Sequence, residues 1–235
     1  MSAATGSVAH TQEQARTAAF VATAEFVLRL RGRGIRNLDV LRALETVPRQ
    51  NFVPHRYADL AMRDVALPIG CGQTMAEPYV LARMLEALAL TPGHRVLEIG
   101  AGSGYATAVL ARLAGEVLSV ERFQSLAIEA QTRLEALEVR NAAIVWADGL
   151  NLPAEAGRFD RILVEALVED PTPGWLDALS PDGIIVIGKP AAVGAGRRIG
   201  QHLVRCARGA EGELVETHIV ASRLQPLIPG LSLGL

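Results

Sequence analysis

Lysine is almost missing from this chain: of 23 basic residues only Lys189 is not arginine. The arginines are scattered and matched by 25 acids, for a net charge of −2. The basic excess of a protein that grips a phosphate backbone is therefore absent. Two cysteines, Cys71 and Cys206, are too few for a disulfide framework. The five histidines are scattered and no Cys/His spacing suits zinc, so no metal site is expected. Long apolar runs are lacking too. The stretch from Ala18 to Ala24 is too short to span a bilayer, and Glu25 follows it. Met1-Ser2-Ala3-Ala4 has neither the basic start nor the apolar run of a secretory signal. The expectation is a soluble, cytoplasmic protein without membrane or nucleic-acid partners. With 12 prolines and 22 glycines in 235 residues, collagen-like and disordered classes are excluded. Half of the residues are apolar, enough to bury one sizeable core.

Residues 1–10 are small and polar, and a frayed start is expected there. Helical periodicity from Thr11 to Arg31 puts Phe20, Ala24, Val27 and Leu28 on one face. The cluster Arg29, Arg31, Arg33 and Arg36 reads as a solvated helix end, where cations suit the carbonyl dipole. A second helix spans Leu38 to Val47, with Leu41 and Leu44 inward. From Asn51 to Pro78 there is little periodicity, and long irregular loops in compact domains are usually functional. After Tyr79–Leu90, read as a helix, strands and helices alternate. Strands are expected at His94–Ile99, Glu116–Val120, Ala143–Ala147, Phe159–Val164 and Gly183–Ile187. Helices are expected at Tyr105–Ala114, Phe123–Leu137 and Trp175–Leu179. Continuous apolar runs such as Ile184-Ile185-Val186-Ile187 mean burial on both faces, hence a parallel sheet covered by helices. Segments near His202–Ala207 and Val215–Ala221 read as an antiparallel hairpin. The fold class is α/β: a doubly wound, mostly parallel Rossmann-like sheet with a C-terminal hairpin. Residues 1–90 are an N-terminal helical elaboration of the same domain as the 91–235 core.

Glu98-Ile99-Gly100-Ala101-Gly102-Ser103-Gly104-Tyr105 lies where the first core strand gives way to a helix. Glycines at 100, 102 and 104 let the backbone turn sharply and let a ligand approach without meeting a Cβ. The dinucleotide pattern G-x-G-x-x-G fits no register, because its third glycine falls on Tyr105 or Thr107. G-x-G-x-G preceded by an acid instead resembles S-adenosylmethionine-dependent methyltransferases. Glu121 ends the second core strand, placed to accept from both ribose hydroxyls of such a cofactor. Asp148-Gly149 follows the third, where a carboxylate can meet the adenine amino group. The place of the N/D-P-P-Y/F motif of base aminomethylases holds Glu165-Ala166-Leu167-Val168, which speaks against nucleic-acid amine methylation.

The loop Leu67-Pro68-Ile69-Gly70-Cys71-Gly72-Gln73-Thr74-Met75-Ala76-Glu77-Pro78 closely resembles the L-P-I-G-x-G-Q-T-I-S-x-P signature of protein-L-isoaspartate O-methyltransferases. Val47-Pro48-Arg49-Gln50-Asn51-Phe52-Val53-Pro54 upstream and Leu224-Gln225-Pro226-Leu227 downstream are similar to the same family, so the likeness spans about Asn37 to Leu227. It implies repair chemistry: S-adenosylmethionine methylates the free carboxylate of an isoaspartyl residue in a damaged protein. By position, Gln73, Thr74 and Ala76 take the catalytic places, with Met75 beside the transferred methyl. Backbone at Glu98, Ile99, Gly100, Ala101, Gly102, Ser103 and Gly104 holds the methionine end, Glu121 and Arg122 the ribose, and Asp148 and Gly149 the adenine. Monomer and homodimer are both compatible with the sequence.

Two departures from the pattern leave the acceptor open. Ala76 stands where the family usually has a serine. The segment Glu165 to Asp170 replaces a small T-A-A-A-P run, and Glu165, Glu169 and Asp170 would repel an acidic peptide if they faced it. A different carboxylate acceptor, or a cofactor-binding protein without turnover, are the alternatives. Cys71 has no histidine near it in sequence and reads as a structural thiol; His55 and His94 read as turn residues.

Overall fold

The computed structural model describes residues 17, 20–152, 156–191, 200–209 and 212–233. The frayed start and the first part of the N-terminal helix lie outside the described residues. Helix α1 covers residues 20–32, and α2 (Leu38–Thr46) is capped by Asn37, whose side chain accepts from the Asp39 and Val40 amides. The buried residues on and just after α1 are Phe26, Leu30 and Ile35, whereas Phe20 and Leu28 are 73% and 64% exposed. The expected face is shifted: Val27 packs against the core and Ala24 is half-buried, but Phe20 and Leu28 face solvent, and the packing partners rather than the periodicity choose among the apolar residues of α1.

The stretch from Asn51 to Pro78 is not structureless. It folds into 3₁₀ turns at Arg49–Phe52 and His55–Leu60, followed by a small antiparallel pair, β1 (Leu67–Pro68) and β2 (Thr74–Met75). Helix α3 (Pro78–Leu88) has Pro78 in its first turn, where the missing N–H costs nothing.

The core then runs β3 (Arg95–Ile99), α4 (Tyr105–Leu113), β4 (Glu116–Glu121), α5 (Gln124–Ala136) and β5 (Ala142–Trp146). It continues through β6 (Phe159–Leu167), α6 (Pro173–Ala178), β7 (Leu179–Pro190), β8 (Gln201–Arg208) and β9 (Leu214–Ser222). Leu179 caps α6 and at once opens β7, where it pairs with Phe159. The large sheet has the order β5-β4-β3-β6-β7-β8-β9. Its strands are parallel from β5 to β7, and β8 and β9 add as the antiparallel hairpin.

Alternation along each central strand explains the unbroken apolar runs. Val96, Leu163 and Val186 join the core on one side with α2, α3 and α4. Leu97, Ile99, Ile162 and Val164 join the other with Trp175 of α6. The strand order reverses beside β3, so the loops after β3 and β6 part there and leave a crevice at the carboxyl ends of the strands.

Candidate active site

That crevice holds a cleft of about 1100 Å³, measured out to its open mouth. One wall is the glycine loop after β3. Gly100, Gly102 and Gly104 take φ of 96°, 54° and 85°, a left-handed conformation that side chains rarely adopt. The end of β4 holds this loop in place. Glu121 is buried, with Oε2 accepting from Gly102 N at 2.8 Å and Oε1 from Phe123 N at 2.9 Å. Each carboxylate oxygen keeps a further lone pair for a ligand hydroxyl. The turn after β5 supplies Gly149, fixed from behind by the buried Trp175, whose indole N–H donates to Gly149 O at 2.7 Å. A Cβ at Gly149 would meet Ile99 Cγ2 at 2.4 Å.

The opposite wall is the β1–β2 loop. Gln73, Thr74, Met75 and Ala76 line the cleft, and the Ser103 hydroxyl contacts Met75 Sδ at 3.6 Å across it. Thr74 is exposed while Met75 is buried, as the alternation of a strand requires. Buried Arg49 organises this loop. Its guanidinium donates to the carbonyls of Ala61, Val65 and Ala76 at 2.7, 3.1 and 3.0 Å. Burial pulls the Arg49 side chain down to about 10, which still leaves it charged at neutral pH. From α1, Arg29 donates to Met62 O at 2.6 Å and Arg33 forms an ion pair with Asp64. Those two arginines brace the loop, so the cluster is more than a solvated helix end. Asp64 in turn accepts from Tyr79 N at 2.9 Å at the start of α3.

Nine of the twelve residues expected at the cofactor line the cleft: Met75, Ile99, Gly100, Ala101, Gly102, Ser103, Glu121, Arg122 and Gly149. Of the others, Gly104 and Glu98 lie one layer back, and Asp148 is partly exposed at the turn after β5. Gly104 faces Ala130 of α5, and a Cβ there would meet the Ala130 Cβ at 3.0 Å. Glu98 is fully buried, its Oε2 accepting from the Thr107 and Ser119 hydroxyls. Asp148 braces its own turn, accepting from Leu150 N and Asn151 Nδ2, and ties down Gly230 N at 3.0 Å. Burial pushes its carboxyl up, but these hydrogen bonds and the Arg122 charge outweigh that and hold it below the ordinary value.

Cys71 takes a φ of 55° and its Sγ meets Ser125 Oγ at 3.2 Å. His94 closes a turn by accepting from Thr91 N, and His55 opens a 3₁₀ turn. Among the described residues no group of His, Cys, Asp and Glu is arranged to hold a metal.

Residues 22–230 match the family described as protein-L-isoaspartate(D-aspartate) O-methyltransferase. The chain belongs to that family. Two relatives carry the same name. One, from Rhodopseudomonas palustris strain BisA53, is 50% identical over 88% of this chain and 94% of its own length. The other, protein-L-isoaspartate O-methyltransferase 2 from strain HaA2, is 49% identical over 88% and 93%. A Plasmodium falciparum structure described as a beta-aspartate methyltransferase with S-adenosyl-L-homocysteine superposes with a TM-score of 0.73. It is 22% identical and covers 87% of this chain and 97% of its own, a likeness that speaks for the fold.

Two parts of this isoaspartate methyltransferase cleft had drawn notice in the sequence without being assigned to the site. The segment Arg223 to Ile228 forms a third wall, held across the end of β6 by Leu167 N donating to Gln225 O and Leu227 N to Leu167 O. The other is Glu165, which lines the cleft beside Gly100. Glu169 and Asp170 are exposed, and Asp170 pairs with Lys189 at 2.7 Å. One acid of the three therefore faces the site.

Proposed function

We infer that the protein transfers a methyl group from S-adenosylmethionine to the free carboxylate of L-isoaspartyl residues in damaged proteins. The observation that carries this is the meeting of the Gln73–Ala76 loop with the Gly100–Gly104 loop across one cleft, at the Ser103–Met75 contact. The lining fits the cofactor. It combines a left-handed glycine backbone that spares space for a ligand, a carboxylate with open lone pairs at Glu121, and at Gly149 a turn too close to Ile99 for a side chain. Backbone from Ile99 to Ser103 would hold the methionine end, Glu121 the ribose and Gly149 the adenine side. When bound, S-adenosylmethionine supplies an electrophilic methyl on a positively charged sulfur.

The residues need only position. An acceptor carboxylate is ionised at neutral pH and already nucleophilic, so no general base is required. Gln73 and Thr74 orient it, Met75 and Ala76 keep the approach dry, and the Arg223–Ile228 wall closes the side. This is catalysis by alignment. The ester formed recloses to a succinimide, whose hydrolysis returns some normal aspartate.

The 1–90 segment supplies the acceptor side and the 91–235 segment the cofactor side of a single domain. The protein works in the cytoplasm on polypeptides rather than nucleic acids, in keeping with two free cysteines and a net charge of −2. Among the described residues no helix is long and apolar enough to cross a membrane. The test is repair itself. An isoaspartyl peptide incubated with enzyme and S-adenosylmethionine should convert progressively to its aspartyl form on chromatography, and no conversion over repeated turnover contradicts the reading.

A further inference from the structure

Glu98 and Glu165 present an unusual pair. Glu98 on β3 sits opposite Leu163 of β6 in the parallel register, and Glu165 lies two residues further along β6 on the same face. Glu98 Oε1 and Glu165 Oε1 are both closed off from solvent without a hydrogen-bond partner. Neither carboxyl forms an ion pair among the described residues. The neighbours on every side are accounted for. β4 contributes Ser119 and Glu121, and the turn after it Arg122, whose Nε donates to Gly230 O. α4 contributes Thr107 and the unpartnered Tyr105 hydroxyl, below which lies Arg49, 5.7 Å from the ring centre. β7 presents Val186 and Gly188, and Arg223 stands exposed on the third wall.

Two neighbouring carboxyls that each have an oxygen closed off from solvent and unpartnered do not readily ionise together. Burial raises Glu98 to about 7, with the Glu121 charge adding to the effect against the Ser119 and Thr107 hydrogen bonds. Burial first and the Glu98 charge second push Glu165 well above the ordinary carboxylate range. Glu165 is the member that reaches the cleft, and Ala76 on the facing wall offers no hydroxyl to an acceptor. A charged Glu165 would repel an anionic acceptor, whereas a neutral one has an O–H to give.

We propose that Glu165, beside Gly100 in the cleft lining, donates to the acceptor carboxylate the hydrogen bond that a serine at position 76 on the facing wall would donate. The inference rests on the carboxylate-acceptor reading above. No proton changes hands. One acceptor oxygen forms its bond to the methyl as the methyl–sulfur bond breaks and its electron pair returns to sulfur, while Glu165 keeps its proton on the other oxygen. Acceptor binding therefore weakens as pH rises.

The test measures KM and kcat for one isoaspartyl peptide from about pH 6 to about pH 9, with calorimetric binding of that peptide in the presence of S-adenosylhomocysteine. In the wild type KM and peptide Kd should rise as pH rises, by about tenfold where Glu165 gives up its proton, while S-adenosylhomocysteine affinity holds. Glu165→Gln keeps a donor that cannot titrate, so its KM should stay flat and lie about tenfold below wild type at the high-pH end. Glu165→Ala should raise the low-pH KM about tenfold or more, and adding Ala76→Ser should recover most of that loss. A Glu165→Gln profile that follows wild type, a Glu165→Ala variant with wild-type KM, or equal losses in the Gln and Ala variants would each overturn the proposal. A wild type that binds S-adenosylhomocysteine yet methylates no isoaspartyl peptide at any pH would instead sink the underlying function.

Discussion

Glu121 accepts the Gly102 amide at 2.8 Å, and that bond ties the glycine loop to the end of the neighbouring strand. The same carboxylate takes Phe123 N with its other oxygen. Glutamate at this point therefore shapes the cofactor wall before any ligand arrives. Glu121→Gln would turn an amide N–H toward one of these backbone donors and lose a charge-assisted bond of roughly 1.5–3 kcal/mol. S-adenosylhomocysteine affinity should fall at least about tenfold by calorimetry, with the fold intact by circular dichroism. Wild-type affinity would remove Glu121 from the cofactor site.

Asp148 acts at one remove. Its bonds to Leu150 N, Asn151 and Gly230 N hold the turn that presents Gly149. Asp148→Ala should weaken S-adenosylhomocysteine several-fold without unfolding the protein. Gly149→Ala should cost more, because its methyl collides with Ile99 at 2.4 Å. Equal effects in the two variants on titration calorimetry would contradict this ordering.

Arg49 is a buried cation whose partners are backbone carbonyls. Arg49→Met would leave the Ala61, Val65 and Ala76 carbonyls without their donor. Each such orphaned group costs about 1–3 kcal/mol, so a loss of about 3 kcal/mol or more in urea unfolding is expected. A change below about 1 kcal/mol would mean that the loop holds its shape unaided.

Glu98 links stability to pH. Its folded-state carboxyl is raised to about 7, from an ordinary value near 4.5. The folded protein thus binds more protons than the unfolded chain between those values, and stability falls as pH rises through that window. The urea midpoint of the wild type should drop from about pH 5 to about pH 8. Glu98→Gln, whose amide oxygen can still accept from Thr107 and Ser119, should flatten that drop. Parallel curves for the two proteins would show that Glu98 is charged when folded.

Local runs made the sheet legible in the sequence. Val96-Leu97-Glu98-Ile99 followed by Gly100 announces a strand and its turn without reference to anything distant, and Glu121 and Gly149 follow from strand ends. What stayed hidden depends on contacts far apart in the chain. Arg49 reaches carbonyls 12 to 27 residues away, so nothing beside it in the sequence reveals the ordered loop. Packing, not periodicity, decided that α1 buries Phe26 and Leu30 and leaves Phe20 and Leu28 in solvent. The wall from Arg223 to Ile228 is closed by pairing with Leu167, more than fifty residues earlier. Glu165 was visible as an acid in an unusual place, but its place near Glu98 on one face of the sheet follows from strand register, which pairs Glu98 with Leu163.

The central claim is that this cleft methylates an isoaspartyl carboxylate although position 76 carries no hydroxyl. One peptide made in two versions, with isoaspartate or aspartate at a single site, tests it with labelled S-adenosylmethionine. Label is expected on the isoaspartyl version alone, as a base-labile ester. Label on neither version, or equally on both, would contradict it.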